Sequence, residues 1–128
     1  MTHVALTLSV LPGTFAICRI QPQAEIPRWA LIGDFASITR TGDALSVVCR
    51  QEDVPGNIRC EKGWGCLKVE GPLEFSLTGI LASLATPLAR AGISIFAVST
   101  YDTDYVLVRQ EHIAKVAEVL SSEGHRVL

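Results

Sequence analysis

The second half of the chain alternates between strand-like and helix-like hydrophobic spacing. An apolar run at residues 66–69 leads into a turn at Gly71 and Pro72, and a helical pattern then continues to Gly92. Its hydrophobic residues recur at three- and four-residue intervals: Leu77, Ile80, Leu81, Leu84 and Leu88. This spacing predicts a helix with one apolar face. Two β-rich runs joined at residues 101–104, a second helix over residues 110–122 and a strand at 126–128 follow. The order βαββαβ predicts an α+β fold.

The first half of the chain is richer in strands and turns. Residues 4–10 alternate between apolar and polar, as expected for a half-buried strand. Further strands are predicted at residues 14–20, 35–40 and 45–49, the last two joined by a tight turn at Thr41-Gly42-Asp43. Residues 57–64 are predicted to be a short connection.

The two halves are related by an internal repeat. The residues RQEDV at 50–54 match RQEHI at 109–113, and Leu8 and Val10 match Leu67 and Val69, all at an offset of 59. Several matches at one offset indicate a duplicated unit of about 60 residues. The first copy has a strand-like segment where the second has a helix, and it stops at Pro55 where the second continues as a helix. We therefore predict two tandem units, an incomplete one at residues 1–62 and a complete one at 63–128.

Composition and charge exclude several classes of protein. Hydrophobic residues make up 48% of the 128 residues and charged residues 19%, which indicates a packed core rather than disorder. The net charge of −2, without a basic stripe, gives no reason to expect nucleic acid as a partner. No apolar run reaches the roughly 18 residues of a membrane span, and no Lys or Arg precedes the first apolar run as in a secretory signal.

The four cysteines are predicted to be free thiols. Cys18 and Cys49 lie in apolar runs, and neither a C-x-x-C motif nor paired histidines accompany them or Cys60 and Cys66. Buried thiols behave as small apolar residues, although a disulfide or a zinc site remains the alternative. Free thiols are typical of a reducing compartment, so the predicted location is cytoplasmic.

The sequence contains no recognisable catalytic arrangement. Serine, histidine and aspartate occur without a nucleophile elbow, and no glycine-rich phosphate or dinucleotide motif is present. The three histidines are interpreted as surface residues. We therefore expect no catalytic activity, no cofactor and no metal site. An enzyme remains a weaker alternative, because one fold can host several reactions.

Two turns contain the candidate binding groups. The stretch Gly71-Pro72-Leu73-Glu74-Phe75-Ser76 leads into the first helix, where free N–H groups and the helix dipole can hold a carboxylate. The stretch STYDTD at residues 99–104 supplies hydroxyls and two carboxylates for an amine or guanidinium group. Taken alone, each stretch is more typical of an ordinary turn than of a binding site. If the fold brings them together, they offer both halves of a site for a zwitterion.

These residues resemble a known family. The stretch LKVEGPLEFSLTGILASLATPLARAGISIFAVSTYDTDYVLV, residues 67–108, resembles the ACT domain. The earlier FASITRTGDALSVVC, residues 35–49, resembles the first unit of tandem ACT proteins, a group that includes aspartate-kinase regulatory domains and the eukaryotic arginine sensors called CASTOR. The resemblance implies tandem ferredoxin-like βαββαβ units with antiparallel sheets, the first incomplete. It also implies sensing of a small ligand without catalysis.

The resemblance also implies a set of ligand-binding residues, because amino acids bind ACT domains at the turn after the first strand, at the start of the first helix and on a strand of a neighbouring unit. Carried over to this chain, the set is Gly71, Pro72, Leu73, Phe75, Ser76, Ile95, Phe96, Ala97 and Ser99. Similarity to the arginine sensors adds Thr100, Asp102 and Asp104. The implied partners are an amino acid or similar small zwitterion, a second copy in a homodimer and a separate regulated protein. A module that serves only oligomerisation or protein interaction is the alternative.

Overall fold

A computed structural model of the chain describes residues 5–71, residue 73 and residues 78–128. These residues form strands β1 Thr7–Val10, β2 Phe15–Ile20, β3 Ser37–Arg40, β4 Leu45–Arg50, β5 Cys60–Val69, β6 Phe96–Ser99, β7 Asp104–Arg109 and β8 Arg126–Val127, and helices α1 Ile80–Arg90 and α2 Ile113–Ser122. Short 3-10 turns lie at Arg28–Leu31, Gln51–Asp53 and Gln110–His112. The predicted α+β class is confirmed. The chain divides into two compact units, a smaller one of Gly13–Trp64 and a larger one that joins the residues up to Pro12 with Gly65–Leu128.

The larger unit has the predicted βαββαβ order, namely β5, α1, β6, β7, α2 and β8. Its strands lie in the order β6-β7-β5-β1-β8, so β1 is inserted between the first and last strands of this series. Strand β1 is antiparallel to β5 and parallel to β8. Its Leu8 and the preceding Leu6 are buried in the core of the larger unit. The first residues of the chain therefore group with residues 65–128, whereas the sequence-based division at residues 62 and 63 placed them in the N-terminal unit.

Apolar side chains from both helices and from one face of the sheet form the core of the larger unit. Helix α1 buries Ile80, Leu84 and Leu88, the stripe that the sequence spacing predicts. Helix α2 contributes Val116 and Leu120. The strands contribute Leu67 and Val69 of β5 and Val106 and Val108 of β7, two residues apart as expected for one face of a strand.

Helix α1 ends at the predicted glycine. Gly92 adopts a left-handed backbone with φ +75°, its N–H donates to the carbonyl of Ala89 at 3.0 Å, and the N–H of Ile93 donates to the carbonyl of Leu88 at 2.9 Å. These two bonds constitute a Schellman motif. Ile93 and Leu88 both lie in the core, so the end of the helix is fixed by backbone conformation and by apolar packing together.

Replacing Gly92 with alanine is expected to lower the free energy of unfolding by about 1 kcal/mol, because a Cβ disfavours the left-handed region. Gly56→Ala is the matched control, since Gly56 has no positive φ and a Cβ added there would meet open space. Urea unfolding of both variants checks the prediction. Equal midpoints for Gly92→Ala and Gly56→Ala would contradict it.

The smaller unit is a four-stranded antiparallel sheet in the order β3-β4-β2-β5. All of its residues, 13–64, are described, and none of them lies in an α-helix. Its core residues come from the sheet and from the 3-10 turn that contains Ala30: Ala16, Cys18, Ala30, Leu45, Val47 and Cys49. The first copy of the repeat is thus built almost entirely from β-structure.

The internal repeat is visible in the bounds of the elements. Ser37–Arg40 and Leu45–Arg50 in the smaller unit correspond to Phe96–Ser99 and Asp104–Arg109 in the larger unit, each at the offset of 59 residues found in the sequence. The 3-10 turns Gln51–Asp53 and Gln110–His112 keep the same offset. Only the second copy continues into an α-helix, because Pro55 and Gly56 follow the first of these turns.

The prediction that residues 57–64 form a short connection was wrong. Residues from Cys60 onward belong to the ten-residue strand β5. Cys60, Glu61 and Trp64 pair with β2, and Leu67 to Val69 pair with β1. Pairing with neighbouring strands therefore overrides the weak β-propensity of the glycines and charged residues in this stretch.

Candidate functional site

The two turns that the sequence singles out meet in the larger unit. The N–H of Leu73, after the end of β5, donates to the carbonyl of Asp102 in the β6–β7 hairpin at 2.8 Å. We call Gly71, Leu73, Asp102 and Thr103 the turn junction. Because the Leu73 N–H is occupied by Asp102, it is not one of the free donors that the sequence suggests for this turn.

Thr103 fixes the hairpin to the end of β5. Its side chain is only 4% exposed, and its hydroxyl donates to the carbonyl of Val69 at 2.6 Å. Its backbone N–H donates to the hydroxyl of Thr100 at 3.2 Å, and that hydroxyl donates to the carbonyl of Thr103 at 2.9 Å. Each polar group of Thr103 therefore has a partner, as a buried polar residue requires.

Gly71 is needed because the chain passes very close to its neighbours. A Cβ added at Gly71 would lie 2.9 Å from the backbone nitrogen of Leu73, 3.4 Å from the carbonyl oxygen of Asp102 and 3.4 Å from the Cβ of Thr103. Two of these atoms belong to the backbone and cannot rotate away. The close approach explains why a residue without a side chain occupies the turn.

Carboxylates lie around the turn junction. Asp102 is exposed and Asp104 is partly exposed, at the first residue of β7. Glu70 is exposed and accepts a hydrogen bond from the hydroxyl of Ser9 on β1. The side chain of Tyr101, at the tip of the hairpin, is 80% exposed. This edge of the larger unit thus presents acceptors suited to a cationic group.

The residues predicted on and beside β6 are divided between the two faces of the sheet. Ile95 packs against the helix-covered core, and Ser99 is the register partner of Asp104. Because side chains alternate along a strand, Ala97 and Ser99 lie on the same face as Ile95, and Phe96 lies on the opposite face. The structure therefore separates Phe96 from the other predicted residues of this strand.

The start of α1 is described from Gly79 onward. Gly79 is the N-cap residue, with φ +76°, and it has no side chain that can accept a hydrogen bond from the first turn of the helix. The first N–H groups of a helix have no partner within the helix. Pro72, Phe75 and Ser76, which complete the predicted set, lie outside the described residues.

Sequence reasoning missed the importance of Thr103. It treated residues 99–104 as a set of exposed turn groups and gave binding roles to Thr100, Asp102 and Asp104. The burial of Thr103 results from a contact with Val69, 34 residues away, which no local pattern reveals. The repeat gives little indication of the role of Thr103, because the equivalent residue in the smaller unit is Ala44, which has no hydroxyl.

The described residues contain no metal-binding cluster and no membrane-spanning helix. No group of histidine, cysteine, aspartate or glutamate side chains there is arranged to hold a metal ion. No helix in the same part of the chain is long and apolar enough to cross a membrane.

The βαββαβ order of the larger unit is the ferredoxin-like architecture of an ACT domain. A family model described as an ACT domain matches residues 59–122, half of the chain. A second family model, for an N-terminal domain, matches residues 13–57. The chain therefore belongs to the ACT-domain family.

Individual proteins show the same relationship. Protein Atu0741 from Agobacterium tumefaciens has a solved structure with a TM-score of 0.94 and 43% identity, covering 98% of this chain and 94% of that one. The human cytosolic arginine sensor for mTORC1 subunit 1 is 43% identical over 58 residues, which are 44% of this chain but only 18% of the sensor. The regulatory subunit of aspartate kinase from Thermus flavus shares the fold, with a TM-score of 0.66 at 12% identity and coverage of 94% and 99%. The names of the last two proteins describe arginine sensing and a regulatory subunit of aspartate kinase.

Proposed function

We propose that this chain is a non-catalytic regulatory protein that binds an amino acid at the turn junction. The observation that carries the proposal is the hydrogen bond from the Leu73 N–H to the carbonyl of Asp102 at 2.8 Å. This bond holds the carboxylate-bearing hairpin against the turn that leads to α1. The two turns, separated by about 30 residues in the sequence, thereby form one local surface.

The chemistry of this surface suits a zwitterion with a cationic side chain. The exposed carboxylate of Asp102 and the partly exposed carboxylate of Asp104 offer acceptors for an amine or a guanidinium group. We infer that the first N–H groups of α1, together with the positive end of the helix dipole, supply the donors for the carboxylate of the amino acid. Arginine is the first ligand to test, because one relative is named an arginine sensor and because a planar guanidinium matches a carboxylate in two parallel hydrogen bonds.

The proposed output is a change in binding to a separate regulated protein when the amino acid is present. The proposed location is the cytoplasm, in agreement with four free cysteines and with the name of the cytosolic relative.

A thermal-shift screen against the twenty amino acids tests the proposal. A ligand present at about 100 times its dissociation constant stabilises the native state by roughly 2.7 kcal/mol. For a domain of this size, the unfolding midpoint is expected to rise by several degrees with arginine or a related amino acid. A flat result across all twenty would contradict the proposal.

The repeat supplies a matched control for the site. Asp102→Asn is expected to remove most of the ligand-induced rise, because the carboxylate that would bind the cationic group is lost. Asp43 occupies the equivalent turn position in the smaller unit and is also exposed. Asp43→Asn should therefore keep the full rise. Equal losses in the two variants would remove the turn junction as the site.

The alternative, a module for oligomerisation without a ligand, is favoured by one observation. Among the described residues, β6 pairs only with β7, so its outer edge is available to another strand. Pairing of this edge between two copies would give a homodimer with twofold symmetry. Light scattering distinguishes the two functions: a stable dimer that no amino acid alters favours the oligomerisation module.

A further inference from the structure

The smaller unit brings three of the four thiols together on one face of its sheet. Cys18 on β2 and Cys60 on β5 are register partners, and Cys49 lies on β4, on the other side of β2. Cys18 and Cys49 are buried, and Cys60 packs against the same core while partly exposed. The cluster therefore contains one accessible thiol and two protected ones.

Backbone pairing decides which two thiols a disulfide could join. The N–H of Arg19 donates to the carbonyl of Arg59 at 3.0 Å, which makes the adjacent pair, Cys18 and Cys60, a non-hydrogen-bonded pair. In such a pair the Cα atoms are about 4.5 Å apart, within the roughly 4.4–6.8 Å that a disulfide spans.

The third thiol does not satisfy this condition. Cys49 is the register partner of Ala16 and is thus a diagonal neighbour of Cys18. Diagonal neighbours have Cα atoms about 7–8 Å apart, at or beyond the limit of about 7 Å for a disulfide. Cys18 and Cys60 are therefore the pair that can be joined without moving the backbone.

We propose that Cys18 and Cys60 form a reversible redox-modification site, at which a low-molecular-weight disulfide oxidises the two thiols to a cross-strand disulfide. A reversible disulfide of this kind is compatible with a reducing compartment, where disulfides are usually transient and responsive to redox state.

The reaction proceeds by two thiol–disulfide exchanges. The thiolate of Cys60 attacks one sulfur of the small disulfide, whose S–S bond breaks, and the other half leaves as a thiol after taking up a proton. The sulfur of Cys18 then attacks the Cys60 sulfur of this mixed disulfide and releases the second small thiol. The two cysteines lose two hydrogen atoms in total, and the small disulfide is reduced to two thiols.

The environments of the thiols assign their order of reaction. Cys60 is the only one of the three that is not fully buried, so it meets the reagent first. The hydrogen bond with Cys49, followed by burial, raises the pKa of Cys18, whereas the same hydrogen bond lowers the pKa of Cys49. Cys66 lies outside this cluster and is also buried, and burial raises the pKa of its thiol to about 12, so the reagent does not reach it.

Peptide mapping of the full chain after treatment with glutathione disulfide tests the proposal. Arginine and lysine residues separate the four cysteines, so trypsin releases them on different peptides: residues 1–19, 41–50, 60–62 and 63–68. The expected product has lost two hydrogen atoms, links peptide 1–19 to peptide 60–62 and returns to its original mass with dithiothreitol. Four unmodified cysteines, or a link that involves peptide 41–50 or 63–68, would overturn the proposal.

Two variants separate the steps. Cys18→Ser should stop the reaction at the mixed disulfide, so that one glutathione remains on Cys60. Cys66→Ser should give the same cross-link as the unaltered chain. Because the mapping of the unaltered chain needs no substitution, a variant that fails to fold leaves the test intact. Loss of the glutathione adduct from a folded Cys18→Ser variant would contradict the assigned order.

Discussion

Replacing Thr103 with valine is expected to lower the free energy of unfolding by about 1–3 kcal/mol, because the substitution leaves the buried carbonyl of Val69 without its hydrogen-bond donor. Valine has nearly the same shape as threonine, so the change isolates the hydroxyl. Among the described bonds, this hydroxyl makes the only side-chain hydrogen bond from the hairpin to the end of β5. The distance from the Thr103 hydroxyl oxygen to the Val69 carbonyl oxygen is 2.6 Å. Urea unfolding monitored by tryptophan fluorescence measures the loss.

The same variant is expected to reduce the thermal shift caused by the amino acid, since Asp102 lies next to Thr103 and moves with the hairpin. Thr39→Val is the control, because Thr39 is also on a strand but its side chain is exposed. It should change neither the stability nor the thermal shift appreciably. A Thr103→Val variant as stable as Thr39→Val would show that the hairpin does not depend on this bond.

Replacing Gly71 with alanine is expected to weaken ligand binding by roughly 5- to 150-fold. The added Cβ would meet the backbone nitrogen of Leu73 at 2.9 Å, so the turn must shift and the hydrogen bond between Leu73 and Asp102 must lengthen. Forcing extra volume into a packed site costs typically about 1–3 kcal/mol. Isothermal titration with the amino acid found in the thermal-shift screen measures the change in affinity.

Gly42→Ala is the matched control for this experiment. Gly42 lies in the hairpin turn of the smaller unit, and a Cβ added there would meet nothing within 4 Å. This variant should bind the amino acid with unchanged affinity. Unchanged affinity in Gly71→Ala as well would mean that the ligand does not depend on the geometry of the turn junction.

Local pattern was sufficient to predict most of the larger unit. The three- and four-residue spacing of Ile80, Leu84 and Leu88 identifies the buried face of α1, and Gly92 marks its end as predicted. The repeat identifies both hairpins, since their strands obey the offset of 59 residues. These features depend on residues close together in the sequence, so they can be read without knowledge of the fold.

Features that depend on distant residues were not predictable in the same way. The pairing of β1 with β5 and β8 takes the first strand into the larger unit, and the long β5 forms because it has partner strands along its length. At the candidate site, the sequence located the two turns but not the bonds between them. The burial of Thr103 and the occupied N–H of Leu73 arise only when residues about 30 positions apart are brought together. The ligand-binding roles of the predicted residues remain a proposal.

Mapping the ligand onto the backbone by NMR is the most direct test of amino-acid binding at the turn junction. The amide signals of the isotope-labelled chain would be recorded during titration with arginine, or with another amino acid that gives a rise in the thermal-shift screen. We predict that the largest shifts occur at Gly71, Leu73, Asp102 and Thr103. Saturable shifts confined to other parts of the chain, or no shifts with any amino acid, would contradict the account.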